Sequence, residues 1–146
     1  SGFLASKEIV LDIVRPFNLE NVANKNIMEV GVGSGRILKV LSKLLPKSIV
    51  AVEPSVAIKI AQQNNNLPNI KYKNIKGEEI EYKDEFDYVF ALGVIHHIPN
   101  YKIVCKNINR SLKSEGKFIC WVYGYEGNEL YLLIFNNLRR ITVLHP

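Results

Sequence analysis

Three glycines at alternate positions are the residues of this sequence best suited to contact a small ligand closely. Gly31, Gly33 and Gly35 follow an apolar run and precede a segment with helical apolar spacing. This order predicts a buried strand, a tight turn and a helix. Glycine permits positive φ angles and leaves no Cβ between backbone and ligand, and a helix start offers unpaired N–H groups. The turn is therefore a candidate ligand-binding loop.

The glycine turn has two other interpretations, a close crossing of helix and sheet or a dinucleotide-binding loop. Glycines also occur where a helix only crosses a sheet closely. A dinucleotide-binding loop has the pattern Gly-x-Gly-x-x-Gly, and counting from Gly31 places Arg36 where its third glycine belongs. Arg36 therefore disfavours a pyrophosphate ligand. A nucleoside with a small zwitterionic tail does not need that third close approach.

A carboxylate follows the next predicted strand. Residues 48–52 form a β-branched run that ends at Glu53 and Pro54, and Ser55 is a candidate cap for a second helix. Two strands joined by a helical crossover are parallel neighbours, so Glu53 should lie beside the glycine loop. An acid about 20 residues after such a loop accepts hydrogen bonds from ribose hydroxyls. The alternative is a solvated carboxylate at a strand end.

The rest of the chain continues the alternation of strands and helices. We predict strands over residues 70–75, 86–92 and 118–122, a turn over 113–116, and helices from Ser6, over 101–112 and over 128–143. Leu45 belongs to the predicted apolar face of the helix that follows the glycine loop, and the helix after Ser55 carries Val56, Ile58, Ile60 and Ala61. The helix over 101–112 is predicted to turn Ile103, Val104, Ile108 and Leu112 inward. This order predicts an α/β fold, a Rossmann-like doubly wound and mostly parallel sheet in three α/β/α layers.

Composition limits the class of protein. The 146 residues are 47% hydrophobic, which suits one domain over residues 1–146. The net charge of +5 comes mostly from scattered lysines, which favours a solvated surface over a nucleic-acid interface. Cys105 and Cys120 lack metal-ligand spacing and are predicted to be buried free thiols in a reducing compartment, with no metal site. No apolar run approaches the roughly 20 residues of a membrane span, so we expect a cytoplasmic protein of unknown oligomeric state.

Four segments together resemble the class I S-adenosyl-L-methionine-dependent methyltransferases, from about residue 27 to residue 123. They are Glu29-Val30-Gly31-Val32-Gly33-Ser34-Gly35, the acid Glu53, Phe86-Asp87 opening a strand that ends in Gly93-Val94-Ile95-His96-His97-Ile98, and Leu112-Lys113-Ser114-Glu115-Gly116-Lys117. Each motif alone is modest, but their ordered combination is specific. The resemblance implies methyl transfer from S-adenosyl-L-methionine, with S-adenosyl-L-homocysteine as product.

The resemblance also implies a role for particular residues. The methionine part of the cofactor would lie against Glu29 and the glycine loop, and along Leu92 and Gly93. Glu53 would hold the ribose. Gly77 and Glu78 would border the adenine, although Glu78 and Glu79 fit a surface position equally well. The members of this site are Glu29, Gly31, Gly33, Gly35, Glu53, Gly77, Glu78, Leu92 and Gly93.

A histidine pair follows the fourth strand. In methyltransferases that this sequence resembles, a histidine in this loop faces the acceptor pocket, where an imidazole could remove the proton lost on methylation. His97 is slightly preferred over His96 for this role. The alternative is that both side chains only pack before Pro99.

Two departures from the family pattern refine the prediction. No Asn/Asp-Pro-Pro-Tyr/Phe motif follows the fourth strand, which favours a small-molecule acceptor and leaves RNA open. The chain also ends before the antiparallel hairpin that usually completes the sheet, so we expect the natural protein to be longer. Competing hypotheses are a cofactor-binding domain without activity, an RNA methyltransferase and, disfavoured by Arg36, a nicotinamide-dependent enzyme.

Overall fold

Helices and strands alternate along the chain. The computed structural model describes residues 2–122, with side chains from residue 7 onward. The α-helices are α1 (Gly2–Ile13), α2 (Arg36–Ser42), α3 (Ala57–Asn64) and α4 (Tyr101–Ser111). The strands are β1 (Asn26–Val30), β2 (Ser48–Val52), β3 (Ile70–Lys73), β4 (Phe86–Leu92) and β5 (Leu112–Trp121). Short 3₁₀-helices span Leu19–Val22, Gly77–Glu79 and Ile95–His97.

The five strands form one sheet in the order β3-β2-β1-β4-β5, and every neighbouring pair is parallel. The chain first builds outward from β1 to β3 and then returns to the other side of β1 with β4. This confirms the predicted Rossmann-like α/β fold. The reversal between β1 and β4 opens a crevice at the carboxyl ends of these strands, which is where open α/β sheets bind ligands.

The sheet is covered on both faces, and alternate residues of β1 serve the two apolar layers. Ile27 belongs to one core cluster, together with Leu38 and Leu41 of α2, and Met28 belongs to the other, together with Val104 and Ile108 of α4. Burial on both faces explains the nearly continuous apolar character of β1, β2 and β4. The sequence pattern was sufficient to locate these three strands.

Each helix buries a narrower stripe than its apolar pattern predicted. Leu45, Val56, Ile60 and Ile103 are apolar residues of the predicted helices, but they are 75%, 79%, 48% and 50% exposed. Leu45 lies beyond the end of α2, with a φ of 54°. The other three are one or two positions away from the residue that is buried, and each step turns the side chain by about 100° around the helix.

The predicted turn at residues 113–116 is wrong, because β5 already begins at Leu112. Phe86 pairs with Leu112, but Tyr88 pairs with Lys117, so the extra residues form a bulge in the strand. A Cβ on Gly116 would lie 2.8 Å from the carbonyl oxygen of Phe86. The polar and glycine-containing sequence reflects this bulge rather than a chain reversal.

Other boundaries and environments also differ from the predictions. α1 begins at Gly2 rather than at a cap on Ser6, β3 ends at Lys73, and α4 ends at Ser111. Cys120 is exposed and Cys105 is partly buried, so the predicted burial of both thiols is wrong. Cys120 lies on β5, the last strand of the described sheet, where nothing described covers its far edge. The predicted helix at residues 128–143 lies outside the described residues.

None of the helices within residues 2–122 is both long and apolar enough to cross a bilayer.

Two isoleucines of α4 allow a matched test of the observed helix orientation. Ile108 is fully buried and Ile103 is half exposed. Ile108→Ala should lower the free energy of unfolding by about 2–5 kcal/mol, because it leaves a cavity between helix and sheet, whereas Ile103→Ala should cost less than about 1 kcal/mol. Urea unfolding of both variants measures the difference. Equal losses would contradict the orientation.

Candidate functional site

A cavity of about 470 Å³ lies at the carboxyl ends of the central strands. Its walls come from the ends of β1 and β2 and from the loops that follow β3 and β4, so it occupies the crevice where the strand order reverses. The lining residues are Val30, Gly31, Val52, Glu53, Pro54, Lys76, Gly77, Glu78, Val94, His97, Ile98, Pro99 and Asn100.

The glycine loop needs its glycines for different reasons. Gly31 has a φ of +78°, and a Cβ there would lie 2.3 Å from Cγ2 of Val94, so this glycine lets the loop after β4 pack directly on the loop after β1. Gly33 has a φ of +51°, but a Cβ there would meet nothing within 4 Å. Gly33 is therefore required by its backbone conformation, and the space outside it is open.

Glu53 joins the end of β2 to the glycine loop. Its Oε2 accepts a hydrogen bond from the Gly33 N–H (3.0 Å), and its Oε1 accepts one from the Ser55 N–H (3.0 Å). The side-chain amide of Asn74 donates to the Glu53 carbonyl at 2.8 Å. Each carboxylate oxygen has two lone pairs, so both can still accept a hydrogen bond from a ligand hydroxyl. Glu53 thus lies beside the loop, as the βαβ unit predicted.

Glu29 is buried in β1, one residue before the cavity wall. It is 2% exposed, and its Oε2 has no hydrogen-bond partner among the described residues. Burial raises the pKa of Glu29 from 4.5 to about 8. The pKa of Tyr72 on β3 is also raised, first by burial and then by the charge of Glu29. Below pH 8 Glu29 is therefore mostly protonated, with a buried oxygen available to a donor or a cation.

The loop after β3 forms a third wall. Gly77 is buried, and a Cβ there would lie 2.8 Å from Cγ1 of Val104, so α4 packs against the backbone. Asn107 of α4 donates its side-chain amide to the Glu78 carbonyl at 2.7 Å. Glu78 lines the cavity, whereas Glu79 is exposed and accepts a bond from the Lys76 N–H (2.7 Å). The two acids, equivalent in the sequence, therefore have different positions.

The loop after β4 gives its two histidines different positions relative to the cavity. His97 lines the cavity and His96 does not, although their ring centroids are only 3.9 Å apart. Leu92 and Gly93 end the strand just outside the lining. Gly93 has a φ of +77°, and its N–H donates to the Trp121 carbonyl at 2.9 Å, which ties this loop to β5.

The structure brings five of the predicted site residues to the cavity surface: Gly31, Glu53, Gly77, Glu78 and His97. Glu29, Gly33, Gly35, Leu92, Gly93 and His96 are not among its lining residues. Gly35 instead packs on α3, because a Cβ there would lie 2.5 Å from the side-chain nitrogen of Asn65.

Sequence reasoning missed the cavity residues Lys76, Val94 and Ile98 and the contact of Asn65 with the loop. Lys76 and Ile98 are adjacent in sequence to the predicted site residues Gly77 and His97, and this adjacency was the signal that could have identified them. Asn65 lies in a run of three asparagines at residues 64–66, a composition that is typical of turns.

A parallel sheet with a crevice at its switch point, a glycine turn after β1 and an acid after β2 defines a nucleoside-binding α/β domain. Residues 28–120 match a family model described as a methyltransferase domain, and the chain belongs to this family. It is a class I S-adenosylmethionine-dependent methyltransferase domain.

Curated relatives agree with this assignment. The chain is 32% identical over 123 residues to a tRNA U34 carboxymethyltransferase of Nautilia profundicola, covering 81% of this chain and 40% of that protein. It is 29% identical to a malonyl-[acyl-carrier protein] O-methyltransferase of Bacillus cereus, covering 71% and 39%. The chain thus spans about 40% of the length of these curated relatives.

Two solved structures share the fold. The YcgJ protein from Bacillus subtilis superposes with a TM-score of 0.71 at 17% identity, covering 93% of this chain and 58% of that one. An S-adenosylmethionine-dependent methyltransferase from Mesorhizobium loti gives 0.66 at 16% identity, covering 77% and 51%.

The site fits S-adenosylmethionine, the cofactor of this class. The cofactor carries a positively charged sulfur and an ammonium group, and the cavity lining has two acids, Glu53 and Glu78, against one lysine, Lys76. The buried oxygen of Glu29 lacks a partner among the described side chains, and the space outside Gly33 is open. These features provide acceptors and room for such a ligand.

The raised pKa of Glu29 predicts how stability depends on pH. Between pH 4.5 and 8 the folded protein keeps a proton that the unfolded chain has lost, so the free energy of unfolding should fall as pH rises through this window. Glu29→Gln removes the titration. It should match wild type near pH 5 and exceed it at pH 9 by an amount on the order of 3–5 kcal/mol. Urea unfolding without cofactor measures this, with exposed Glu81→Gln as control. Parallel pH curves for wild type and Glu29→Gln would contradict the burial of an unpaired acid.

Proposed function

We propose that the intact protein transfers the methyl group of S-adenosylmethionine to a small-molecule acceptor bound beside His97. One observation carries the proposal: the Glu53 carboxylate is fixed by two backbone N–H groups at the cavity wall and keeps acceptor capacity for the hydroxyls of a nucleoside. The membership of the chain in the methyltransferase domain family supports it.

In this proposal each wall holds one part of the cofactor. Glu53 accepts hydrogen bonds from the ribose hydroxyls, and the loop with Gly77 and Glu78 borders the adenine. The methionine part lies against Gly31 and the open side of Gly33, close to Glu29. Leu92, the last residue of β4, and Gly93, which follows it, complete this side of the site.

The protein contributes mainly binding, orientation and exclusion of water. Bound S-adenosylmethionine supplies an electrophilic methyl group on a positively charged sulfur. The acids Glu53 and Glu78 favour a cationic ligand, and the apolar lining residues Val30, Val52 and Val94 exclude water from it. Positioning and desolvation account for most of the acceleration of such a displacement, so no covalent enzyme nucleophile is required.

His97 is the proposed general base. It is exposed and lines the cavity, so its imidazole can reach a bound acceptor and take the proton released on methylation. His96 contacts His97 but does not line the cavity. We therefore assign proton removal to His97 and a packing role to His96.

A small acceptor agrees with the charge of the cavity. A nucleic-acid interface gathers Lys and Arg side chains, but the lining contains one lysine and two acids. RNA is the second candidate acceptor, because six curated relatives of this chain are named tRNA U34 carboxymethyltransferases. A cofactor-binding domain without activity is the third possibility.

Cofactor binding should depend on the Glu53 carboxylate. Isothermal titration should show binding of S-adenosylmethionine and S-adenosylhomocysteine but not of NAD. Glu53→Gln has one acceptor oxygen and presents its amide group to a backbone N–H, so it should weaken binding by roughly 10–100-fold, the equivalent of one lost hydrogen bond to a charged group. Exposed Glu81→Gln is the matched control. Unchanged affinity in Glu53→Gln would refute the ribose assignment.

Turnover should separate the two histidines. With an acceptor in hand, His97→Ala should lower kcat by roughly 10²–10⁴-fold at unchanged cofactor affinity, as expected for loss of a general base. His96→Ala should keep most of the activity. Equal turnover in both variants and wild type would remove the catalytic role.

The acceptor class can be tested directly. The intact protein should transfer labelled methyl groups to the low-molecular-weight fraction of a cell extract, and ribonuclease treatment should not reduce the labelling. Label found only in tRNA would favour the second candidate, and no transfer despite cofactor binding would favour the third.

A further inference from the structure

The glycine loop is held from both sides. Glu53 accepts the N–H of Gly33 on the cavity side, and two asparagines at the end of α3 bind the loop carbonyls on the other side. Asn64 donates to the Ser34 carbonyl at 3.2 Å, and Asn65 donates to the Gly35 carbonyl at 3.1 Å. These contacts join residues 30 positions apart in the sequence.

Asn65 is the more constrained of the two asparagines. It is 5% exposed, whereas Asn64 is exposed. The Asn65 amide also donates to the Ala61 carbonyl at 3.0 Å, so both of its N–H bonds are used on backbone acceptors. Gly35 is in the left-handed region, with a φ of +85°, and has no Cβ to displace the amide. Asn65 and Gly35 are therefore fitted to each other.

Asn65 also accepts a hydrogen bond from the sheet at its backbone carbonyl. The phenol of Tyr72 on β3 donates to the Asn65 carbonyl at 2.8 Å and lies 3.4 Å from the Ala61 carbonyl oxygen. The position of the Asn65 amide is therefore determined by the sheet as well as by α3. The glycine loop receives this support at the carbonyl that also accepts the Lys39 N–H of α2 (3.0 Å).

We propose that Asn65 is a positioning residue for the cofactor: its buried amide holds the glycine loop in the conformation that presents the Gly33 backbone to Glu53 and to the ligand. This inference rests on the proposed function. Asn65 does not line the cavity, so it acts through the loop and not by contact with the cofactor.

Asn65→Asp is the most direct variant. Aspartate has the same shape as asparagine, but it places a carboxylate oxygen where the amide nitrogen donates to the Gly35 and Ala61 carbonyls. Two hydrogen bonds are thereby replaced by repulsion between oxygens. Dissociation constants for S-adenosylhomocysteine should rise roughly tenfold or more, because the loop is no longer fixed before binding. Asn65→Ala, which removes the donor without adding a charge, should act in the same direction and serves if Asn65→Asp does not fold. Exposed Asn66→Asp makes the same chemical change nearby and should leave the affinity unchanged.

A purely structural role predicts a different result. Tyr72→Phe removes the bond to the Asn65 carbonyl and destabilises the same corner, but it leaves the amide contact with Gly35 in place. If Asn65 positions the loop, its variants should lose more affinity than Tyr72→Phe at an equal loss of thermal stability. If the loss of affinity is proportional to the loss of thermal stability in every variant, the inference is overturned.

Hydrogen exchange supplies a measurement that needs no cofactor. The Gly35 N–H donates to the Val32 carbonyl at 2.9 Å within the loop. NMR-detected exchange of this amide should accelerate most in Asn65→Ala, less in Tyr72→Phe, and remain near wild type in Asn66→Asp. Unchanged exchange in Asn65→Ala would overturn the inference. If the wild type fails to bind S-adenosylmethionine, the proposed function fails, and the exchange rates still decide whether Asn65 holds the loop.

Discussion

The site depends on the hydrogen bonds that the Glu53 carboxylate accepts from the backbone of Gly33 and Ser55. The bond from Gly33 joins the ends of the neighbouring strands β1 and β2, and the bond from Ser55 fixes the Glu53 side chain locally. The bond to Gly33 requires that β1 and β2 are parallel and in register, so that both strands end at the same edge of the sheet. Gly33 also has a positive φ of +51°, a backbone conformation that favours glycine. The fold and the site are thus linked by one contact.

A second acid shows that the site is not optimised for stability alone. Glu29 occupies a buried position in β1, and burial opposes its ionisation. A buried carboxyl with an oxygen that no described residue satisfies lowers the stability of the protein without ligand. Glu29 lies one residue before the cavity wall, where a cationic ligand would interact with its unsatisfied oxygen. Ligand binding would therefore offset this loss of stability. Such costs are commonly concentrated at binding sites.

The sequence was sufficient to predict those parts of the molecule that are determined by local pattern. The bounds of β4, the class of fold and the position of Glu53 follow from apolar runs, glycine spacing and the handedness of βαβ crossovers. The outward orientation of Val56 and Ile60 was missed, because an apolar residue one or two positions off the buried stripe looks the same in the sequence. The bulge in β5 was mistaken for a turn, because both use polar residues and glycine. The role of Asn65 has no local signal, since its partner lies 30 residues away.

The central claim, that this crevice holds the nucleoside of S-adenosylmethionine on Glu53, is tested most directly by a crystal structure of the protein with S-adenosylhomocysteine. The account predicts both ribose hydroxyls within hydrogen-bonding distance of the Glu53 carboxylate, with the adenine beside Gly77 and the homocysteine part along Gly31 and Gly33. A ligand bound elsewhere, or a Glu53 side chain turned away from the ribose, would contradict it.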